Sequence, residues 1–232
     1  MNEILRRLPD SRFSEILPLW AGGTAVLLGG GPSLTIVQVE RVCAAYDSGR
    51  VSGVLAVNDA YRVAPWADVC YFADSQWWEW HHEKPDFRDF LGQKCSIQHS
   101  GDNIKDDAVH ILRSANTAAN GSPSHHGFGL SLERDRIVTG RHSGFQALNL
   151  AVLAGAKDVI LLGYDAREPG TDGRTHWFGE HPTIEPVSVY AEYRMAFSKA
   201  EHLLLAAGVK VLNCSPGSAI NSFPKVDLEQ VL

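Results

Sequence analysis

The sequence lacks both a long apolar run and an excess of positive charge. No segment of its 232 residues approaches the roughly 20 apolar residues that a membrane helix needs. The N-terminal stretch MNEILRRLPDSRF has no apolar core of the kind found in secretory signals. The formal net charge of -6 argues against nucleic acid or an anionic membrane as the main partner. These absences favour a small-molecule ligand.

Cysteine is scarce, and no two cysteines form a C-x-x-C pair. The four thiols belong to Cys43, Cys70, Cys95 and Cys214. This scatter predicts buried free thiols in a reducing compartment, and therefore a cytoplasmic protein. The composition leaves the oligomeric state open.

The order of apolar segments predicts an α/β fold. Short apolar runs alternate with helical stretches, the pattern of a mostly parallel sheet with helices on both faces. Strands are predicted at 24–28, 52–59, 67–74, 94–99, 108–112, 158–166 and 209–215, and helices at 33–49, 143–156 and 187–207. Long polar loops at 114–130 and 167–186 are either mobile or functional. Without a repeat or a linker, residues 1–232 are interpreted as one domain.

The stretch LLGGGPSL (27–34) follows the first predicted strand. Its glycines, Gly29, Gly30 and Gly31, permit a tight turn and a close ligand approach, and Pro32 suits the first helical position. With the Ser33 hydroxyl, the turn is typical of an anion site, although a plain tight turn is the alternative. No Gly-Lys-Ser/Thr follows, and leucine replaces the third glycine of the dinucleotide fingerprint.

Polar residues stand at the ends of three predicted strands. They are Asn58, Asp59, Asp74 and Asp165. Ligands of open α/β sheets bind outside the carboxyl ends of the strands, so this set predicts one binding rim for a ribose, an amine or a metal ion. At any single position, capping of a turn is the simpler interpretation.

The segment TGRHSGFQAL (139–148) is a second glycine-bearing turn that leads into a helix. Ser143, as the candidate N-cap, and the Gly144 amide could receive a phosphate or a carboxylate. Arg141 and His142 are expected to add positive character. An ordinary N-cap is the alternative.

The segment GRTHWFGEHP (173–182) predicts an ordered loop over a pocket. His176 and His181 are candidates for acid–base catalysis or phosphate binding. A zinc site with His125 and His126 is a weaker alternative, because no ligand spacing is recognisable. The tryptophans of QWWEW (76–80) could stack on a base or a sugar, but core packing explains them equally well.

Several of these motifs together resemble a known superfamily. GGGPSL, VNDAYR, CYFADSQWW and RHSGFQALNLAVLAGAKDVILLGYD occur in the order seen in bacterial sialyltransferases of the Campylobacter type. Flagellin motility accessory factors and 6-hydroxymethylpterin diphosphokinases share the GPSL motif. The loop sequence THWFGEHP also resembles phage and prophage proteins without an assigned activity.

The resemblance implies a Rossmann-like nucleotide-binding domain. In the sialyltransferases the matching motifs hold a CMP-sugar, and they correspond here to Gly31, Pro32, Ser33, Asn58, Ser143 and Gly144. The segment PVSVYAEYR stands where the family carries its catalytic histidine, so His176 or His181 would have to replace it.

Three functions are consistent with these motifs. The leading hypothesis is a glycosyltransferase-like transferase that uses a nucleotide-activated donor, with an acceptor that the sequence leaves open. The second is a diphosphokinase with Mg²⁺ on Asp74 and Asp165. The third is a protein that binds a nucleotide without converting it.

Overall fold

Ten strands and five helices form the described part of the chain. The structure is a computed structural model that describes residues 3–98, 103–116, 127–169, 173–179 and 189–232. The strands are β1 (Leu5–Arg7), β2 (Ser14–Ile16), β3 (Thr24–Leu28), β4 (Gly53–Val57), β5 (Val69–Tyr71), β6 (Gln93–Ile97), β7 (Val109–Ser114), β8 (Arg136–Ile137), β9 (Asp158–Leu162) and β10 (Lys210–Asn213). The helices are α1 (Ile36–Asp47), α2 (Ser75–His81), α3 (Pro85–Arg88), α4 (Ser143–Leu153) and α5 (Val189–Ala206), and short 3-10 turns lie at Asn58–Arg62 and Leu228–Gln230.

Eight of the strands build one parallel sheet. Its spatial order is β10-β9-β3-β4-β5-β6-β7-β8, and each neighbouring pair runs parallel. From β3 the chain proceeds outward to β8, and it then returns to place β9 on the other side of β3. The carboxyl ends of β3 and β9 therefore form a topological switch point, where such folds bind their ligands.

The sheet separates two hydrophobic cores, because successive strand residues point to opposite faces. On β3, Ala25 and Leu27 belong to the core that contains residues of α4 and α5. Val26 and Leu28 belong to the opposite core, which contains residues of α1, α2 and α3. Helices thus cover both faces, and the architecture is that of a Rossmann-like α/β domain, as the sequence predicts.

The predicted elements need three kinds of correction. Helix α1 begins at Ile36, three residues after the predicted start, so Pro32 precedes the helix and is not its first residue. The predicted strands 52–59, 67–74 and 158–166 are shorter in the structure, because their polar ends turn away from the sheet. Sequence analysis missed the short elements β1, β2, β8, α2 and α3.

The described helices include none that is long and apolar enough to cross a membrane. The four cysteines are free thiols, three of them buried, whereas Cys43 is partly exposed.

Candidate functional site

A cleft of about 520 Å³ opens at the switch point between β3 and β9. It brings together most of the residues that the sequence predicts as a site: Gly29, Gly30, Gly31, Asn58, Asp59, Asp74, Ser143, Gly144, Asp165 and His176. Pro32 and Ser33 are not among the lining residues. His181 lies outside the described residues. The predicted rim is therefore one continuous cavity wall.

The three glycines of the turn after β3 are needed for different structural reasons. A Cβ on Gly29 or on Gly31 would lie 2.6 Å from the Gly163 carbonyl oxygen, because the ends of β3 and β9 are in close contact. The Gly31 amide donates to the same carbonyl at 2.8 Å. Gly30 instead approaches the loop at 173–179, where its Cβ would be 3.2 Å from His176 Cδ2. All three line the cleft, but Gly29 and Gly31 are required by the contact between β3 and β9, whereas Gly30 leaves room for the histidine loop.

The Ser33 hydroxyl, predicted to bind an anion, already binds one from the protein. Ser33 Oγ donates to Asp165 Oδ2 at 2.7 Å, and the Ser33 amide approaches the same oxygen at 3.3 Å. The start of α1 is closed separately by Thr35 and Gln38, which form a reciprocal capping box. The helix start is thus satisfied within the chain.

Asp165 is a buried carboxylate at the end of β9. Its side chain is 3% exposed, and Oδ1 is buried without a hydrogen-bond donor among the described residues. Burial raises the pKa of Asp165, an effect that Ser33 and Arg167 partly oppose. Arg167 Nε lies 3.5 Å from Oδ1, which is an ion pair without a hydrogen bond.

The C-terminal turn NCSPGSAI holds this strand end in place. Ser215 Oγ accepts from the Tyr164 amide at 2.8 Å, and Ser218 Oγ donates to the Tyr164 carbonyl at 2.6 Å. The Ala219 amide donates to the Asp165 carbonyl at 2.8 Å. The backbone around Asp165 is therefore fixed by the turn that follows β10.

Left-handed backbone conformations are concentrated at the cleft. Of four described non-glycine residues with positive φ, three line the cavity: Asn58 (51°), Arg141 (64°) and Ala166 (44°). Such conformations are unfavourable for residues with a Cβ, and they recur at functional sites. Asn58 in addition has a buried side-chain oxygen without a hydrogen-bond partner among the described residues. The cleft therefore offers an acceptor for a ligand donor on this wall too.

The other two predicted carboxylates have local structural roles. Asp59 Oδ2 accepts from the indole nitrogen of Trp77 at 2.9 Å, and Asp59 Oδ1 lies 3.5 Å from Arg62. Asp74 is the N-cap of α2 and accepts from the Gln76 amide at 2.8 Å. Trp77 belongs to the hydrophobic core, so core packing explains this tryptophan of QWWEW.

The N-cap of α4 is His142, which corrects the prediction of Ser143. His142 Nδ1 accepts from the Phe145 amide at 3.3 Å. The imidazole packs against the rings of Tyr193 and Phe197 on α5. Burial lowers the pKa of His142 to about 3, against a smaller opposing effect of the Tyr193 backbone. The ring is therefore neutral at pH 7 and does not add the expected positive charge.

Ser143 and Gly144 occupy the first turn of α4, whose leading amides have no acceptor within the helix. A Cβ on Gly144 would lie 2.9 Å from Tyr164 Cε1, so this glycine allows the strand end to pack against the helix start. The Tyr164 hydroxyl donates to the Gly144 carbonyl at 3.1 Å. The second glycine-bearing turn thus joins the same wall as β9.

Helix α5 contributes residues that sequence analysis missed. Tyr190 and Tyr193 line the cleft, and Glu192 Oε2 forms an ion pair with Arg141 Nε at 2.7 Å. The tyrosine spacing of three residues places both on one face of a helix, a signal that was present in the sequence. Nothing local indicated that this face meets the glycine turns.

The described part of the histidine loop rests on the glycine turn. The Trp177 amide donates to the Gly30 carbonyl at 3.1 Å, and the His176 and Phe178 rings stack with centroids 4.8 Å apart. Thr175 Oγ1 lies 2.9 Å from His176 Nδ1 and orients the imidazole. His176 is thus the candidate acid–base group that the structure brings to the cleft.

No three His, Cys, Asp or Glu side chains lie close enough to hold a metal ion within the described ranges. The histidines at 125, 126 and 181 fall outside those ranges, so the zinc hypothesis is not tested.

No protein-family model matches the chain, and no curated protein is significantly similar to it. The resemblance to the sialyltransferase superfamily therefore stays a prediction.

Proposed function

We propose that this protein is a transferase that uses a nucleotide-activated donor, of the glycosyltransferase type. One observation carries the proposal: the cleft lies at the switch point of a Rossmann-like sheet and gathers both glycine turns and the polar strand ends. This is the position at which doubly wound sheets bind nucleotides. The cavity is also within the usual range of small-ligand sites.

The lining residues suggest a division of roles. The leading amides of α4, at Ser143 and Gly144, would bind the phosphate through the partial positive charge of the helix start. The unpaired Asn58 oxygen would accept a hydrogen bond from the nucleoside. His176 would take the proton of the acceptor hydroxyl as that oxygen attacks the donor carbon and the nucleotide departs.

Nucleotide binding is tested by thermal shift with CMP, UDP, GDP, ADP and their sugar conjugates, with and without Mg²⁺. A ligand at about a hundredfold its Kd is expected to stabilise the fold by about 2.7 kcal/mol. Turnover is tested with an isotope-labelled form of the sugar nucleotide that binds. If no sugar nucleotide is bound or hydrolysed, the proposal is wrong.

Two further measurements separate the alternative functions. With labelled ATP as the donor, transfer of its terminal diphosphate to a hydroxyl acceptor with release of AMP, stopped by EDTA, would identify a Mg²⁺-dependent diphosphokinase. Tight binding with the ligand unchanged after long incubation would identify a protein that sequesters a nucleotide. The free thiols fit a reducing compartment, and we propose a cytoplasmic location on that basis.

A further inference from the structure

The Asp165 carboxylate has one oxygen that accepts hydrogen bonds and one that accepts none, although Arg167 Nε lies 3.5 Å from the second as an ion pair. Oδ2 accepts from the hydroxyl and the amide of Ser33, whereas Oδ1 is buried and receives no hydrogen bond from the described residues. The side chain is 97% buried, since only 3% of it is exposed, and it lines the cleft. A buried acceptor without a donor is costly, so the geometry favours a donor supplied by a ligand.

The chemistry of that donor follows from the neighbouring groups. Dinucleotide-binding sheets use a carboxylate after the second strand of the fold to bind ribose hydroxyls. Here the carboxylate in that place, Asp59, is occupied by the Trp77 indole at 2.9 Å. Asp165, on the strand at the other side of β3, has the open oxygen instead. Arg167 Nε already lies 3.5 Å from this oxygen, so a cation there would meet a like charge, which favours a neutral hydroxyl donor.

We infer that Asp165 binds a vicinal diol of the ligand, so that the glycine turn faces the hydroxyl-bearing part of the ligand and not its phosphate. The inference rests on the proposed function, because it takes the ligand to be a nucleotide-activated donor. The diol belongs either to the ribose or to the transferred sugar.

The hydrogen-bond donors at the turn support this orientation. The Ser33 hydroxyl and amide already donate to Asp165, and Arg167 is paired with the same carboxylate, so a phosphate on Ser33 would have to displace a carboxylate from both. The start of α4 has an uncharged cap in His142, because burial keeps this histidine neutral. The anionic end of the ligand therefore belongs at α4, and its hydroxyl groups belong at Asp165.

The test compares Asp165→Asn with the wild-type protein by calorimetric titration. The probes are CMP, UMP, AMP and GMP, their 2′-deoxy forms, and the matching sugar nucleotides. Asparagine keeps the shape of the side chain and an oxygen for Ser33, so the variant is expected to fold. If the diol is that of ribose, wild type prefers the ribonucleotide by about tenfold or more, and Asp165→Asn reduces this ratio to about one.

If the diol is that of the transferred sugar, wild type binds ribo- and deoxynucleotides equally. It then binds the sugar nucleotide about tenfold more tightly than the free nucleotide, and Asp165→Asn removes that difference. The matched control is Asp158→Asn, which makes the same charge change at the opposite end of β9 and is expected to keep both ratios.

Two results overturn the inference while nucleotides still bind. One is an Asp165→Asn variant that keeps the wild-type ratios of affinity, both between ribo- and deoxynucleotides and between sugar nucleotides and free nucleotides. The other is a variant that loses only the distinction between CMP and UMP, which would place a base amine on Asp165.

If wild type binds no nucleotide at all, the proposed function fails, and ribose 5-phosphate is compared with 2-deoxyribose 5-phosphate. A preference for the diol that Asp165→Asn removes still supports the inference. No preference overturns it as well.

Discussion

Two glycine-bearing turns line the same cleft, and the protein completes them in opposite ways. In the turn after β3, the Ser33 hydroxyl donates to the carboxylate of Asp165. In the turn before α4, the neutral imidazole of His142 caps the helix.

Each turn also carries an arginine–carboxylate ion pair, Arg167 with Asp165 at the first and Arg141 with Glu192 at the second. The difference lies in the hydrogen bonds: the Ser33 donors are used by a carboxylate, whereas the leading amides of α4 have no acceptor within the helix. Similar local sequences are thus completed by different partners.

The largest expected effect concerns the packing of the first turn. Gly31→Ala would place a Cβ against the Asp165 carboxylate and 2.6 Å from the Gly163 carbonyl oxygen. Because backbone cannot yield easily, we expect a loss of about 3 kcal/mol in the free energy of unfolding, measured by urea denaturation. Gly30→Ala is the control, since its nearest contact is the His176 ring at 3.2 Å, and it should cost less than about 1 kcal/mol. Equal losses in both variants would contradict this account.

The second effect concerns the neutral cap of the other turn. The pKa of His142 falls to about 3 in the folded protein, against about 6.5 in the unfolded chain. As the pH falls, the unfolded chain binds this proton before the folded protein does, which shifts the equilibrium towards unfolding. The contribution of the neutral His142 to the free energy of unfolding is therefore complete above about pH 6.5 and is lost as the pH falls towards the folded pKa. Between pH 7 and pH 5, we expect the free energy of unfolding of wild type to fall by about 2 kcal/mol more than that of His142→Asn. Urea denaturation at each pH measures this difference.

The control for this pH dependence is His202→Asn on the exposed side of α5. This variant should keep the wild-type slope of stability against pH. A slope in His142→Asn that equals that of wild type would show that His142 titrates normally and is not buried as described.

A smaller effect of opposite sign is expected at Asp165. Its pKa is raised by burial, so the folded protein holds the proton at a pH where the unfolded chain has released it. This raised pKa costs stability as the pH rises above about 3.9. Asp165→Asn should therefore be more stable than wild type at pH 7. The advantage should shrink as thermal unfolding is repeated towards pH 4, and an advantage that does not depend on pH would exclude this explanation.

The smallest effect concerns the side chains that cap α1 and α4, because only one of the two hydroxyl side chains at these helix starts, that of Thr35, is a cap. Thr35→Ala removes half of the capping box of α1 and should cost about 1 kcal/mol. Ser143→Ala changes the first residue of α4 but not its cap, and should cost less than about 0.5 kcal/mol. A larger loss of stability in Ser143→Ala would show that Ser143, and not His142, is the N-cap of α4.

Much of the fold could be predicted from the sequence because it follows from local patterns. The apolar run at 24–28 matches β3 residue for residue, and the remaining central strands differ only at their ends. The elements that were missed are short, and they lack a full period of hydrophobic pattern. Strand β8, for example, has two residues and is defined only by its pairing with β7.

The sequence predicts which residues line the candidate site, but it does not predict which hydrogen bonds they form. Asn58, Asp74 and Asp165 line one cleft because parallel strands end at one edge of the sheet. Their hydrogen bonds could not be predicted, since the partners are distant in the chain. Ser33 and Asp165 are separated by 132 residues, and no local rule relates them.

The sequence by itself determined the alternation of strands and helices, the glycine turns and the polar strand ends. These features depend on periodicity and on backbone preferences, which act over a few residues. Only the tertiary structure decided that the Ser33 hydroxyl donates to Asp165 and that His142 is buried and neutral. It also decided that residues of α5 line the cleft. Hydrogen-bond partners, burial and pKa shifts depend on which residues meet after the chain has folded, and a linear pattern does not contain that information.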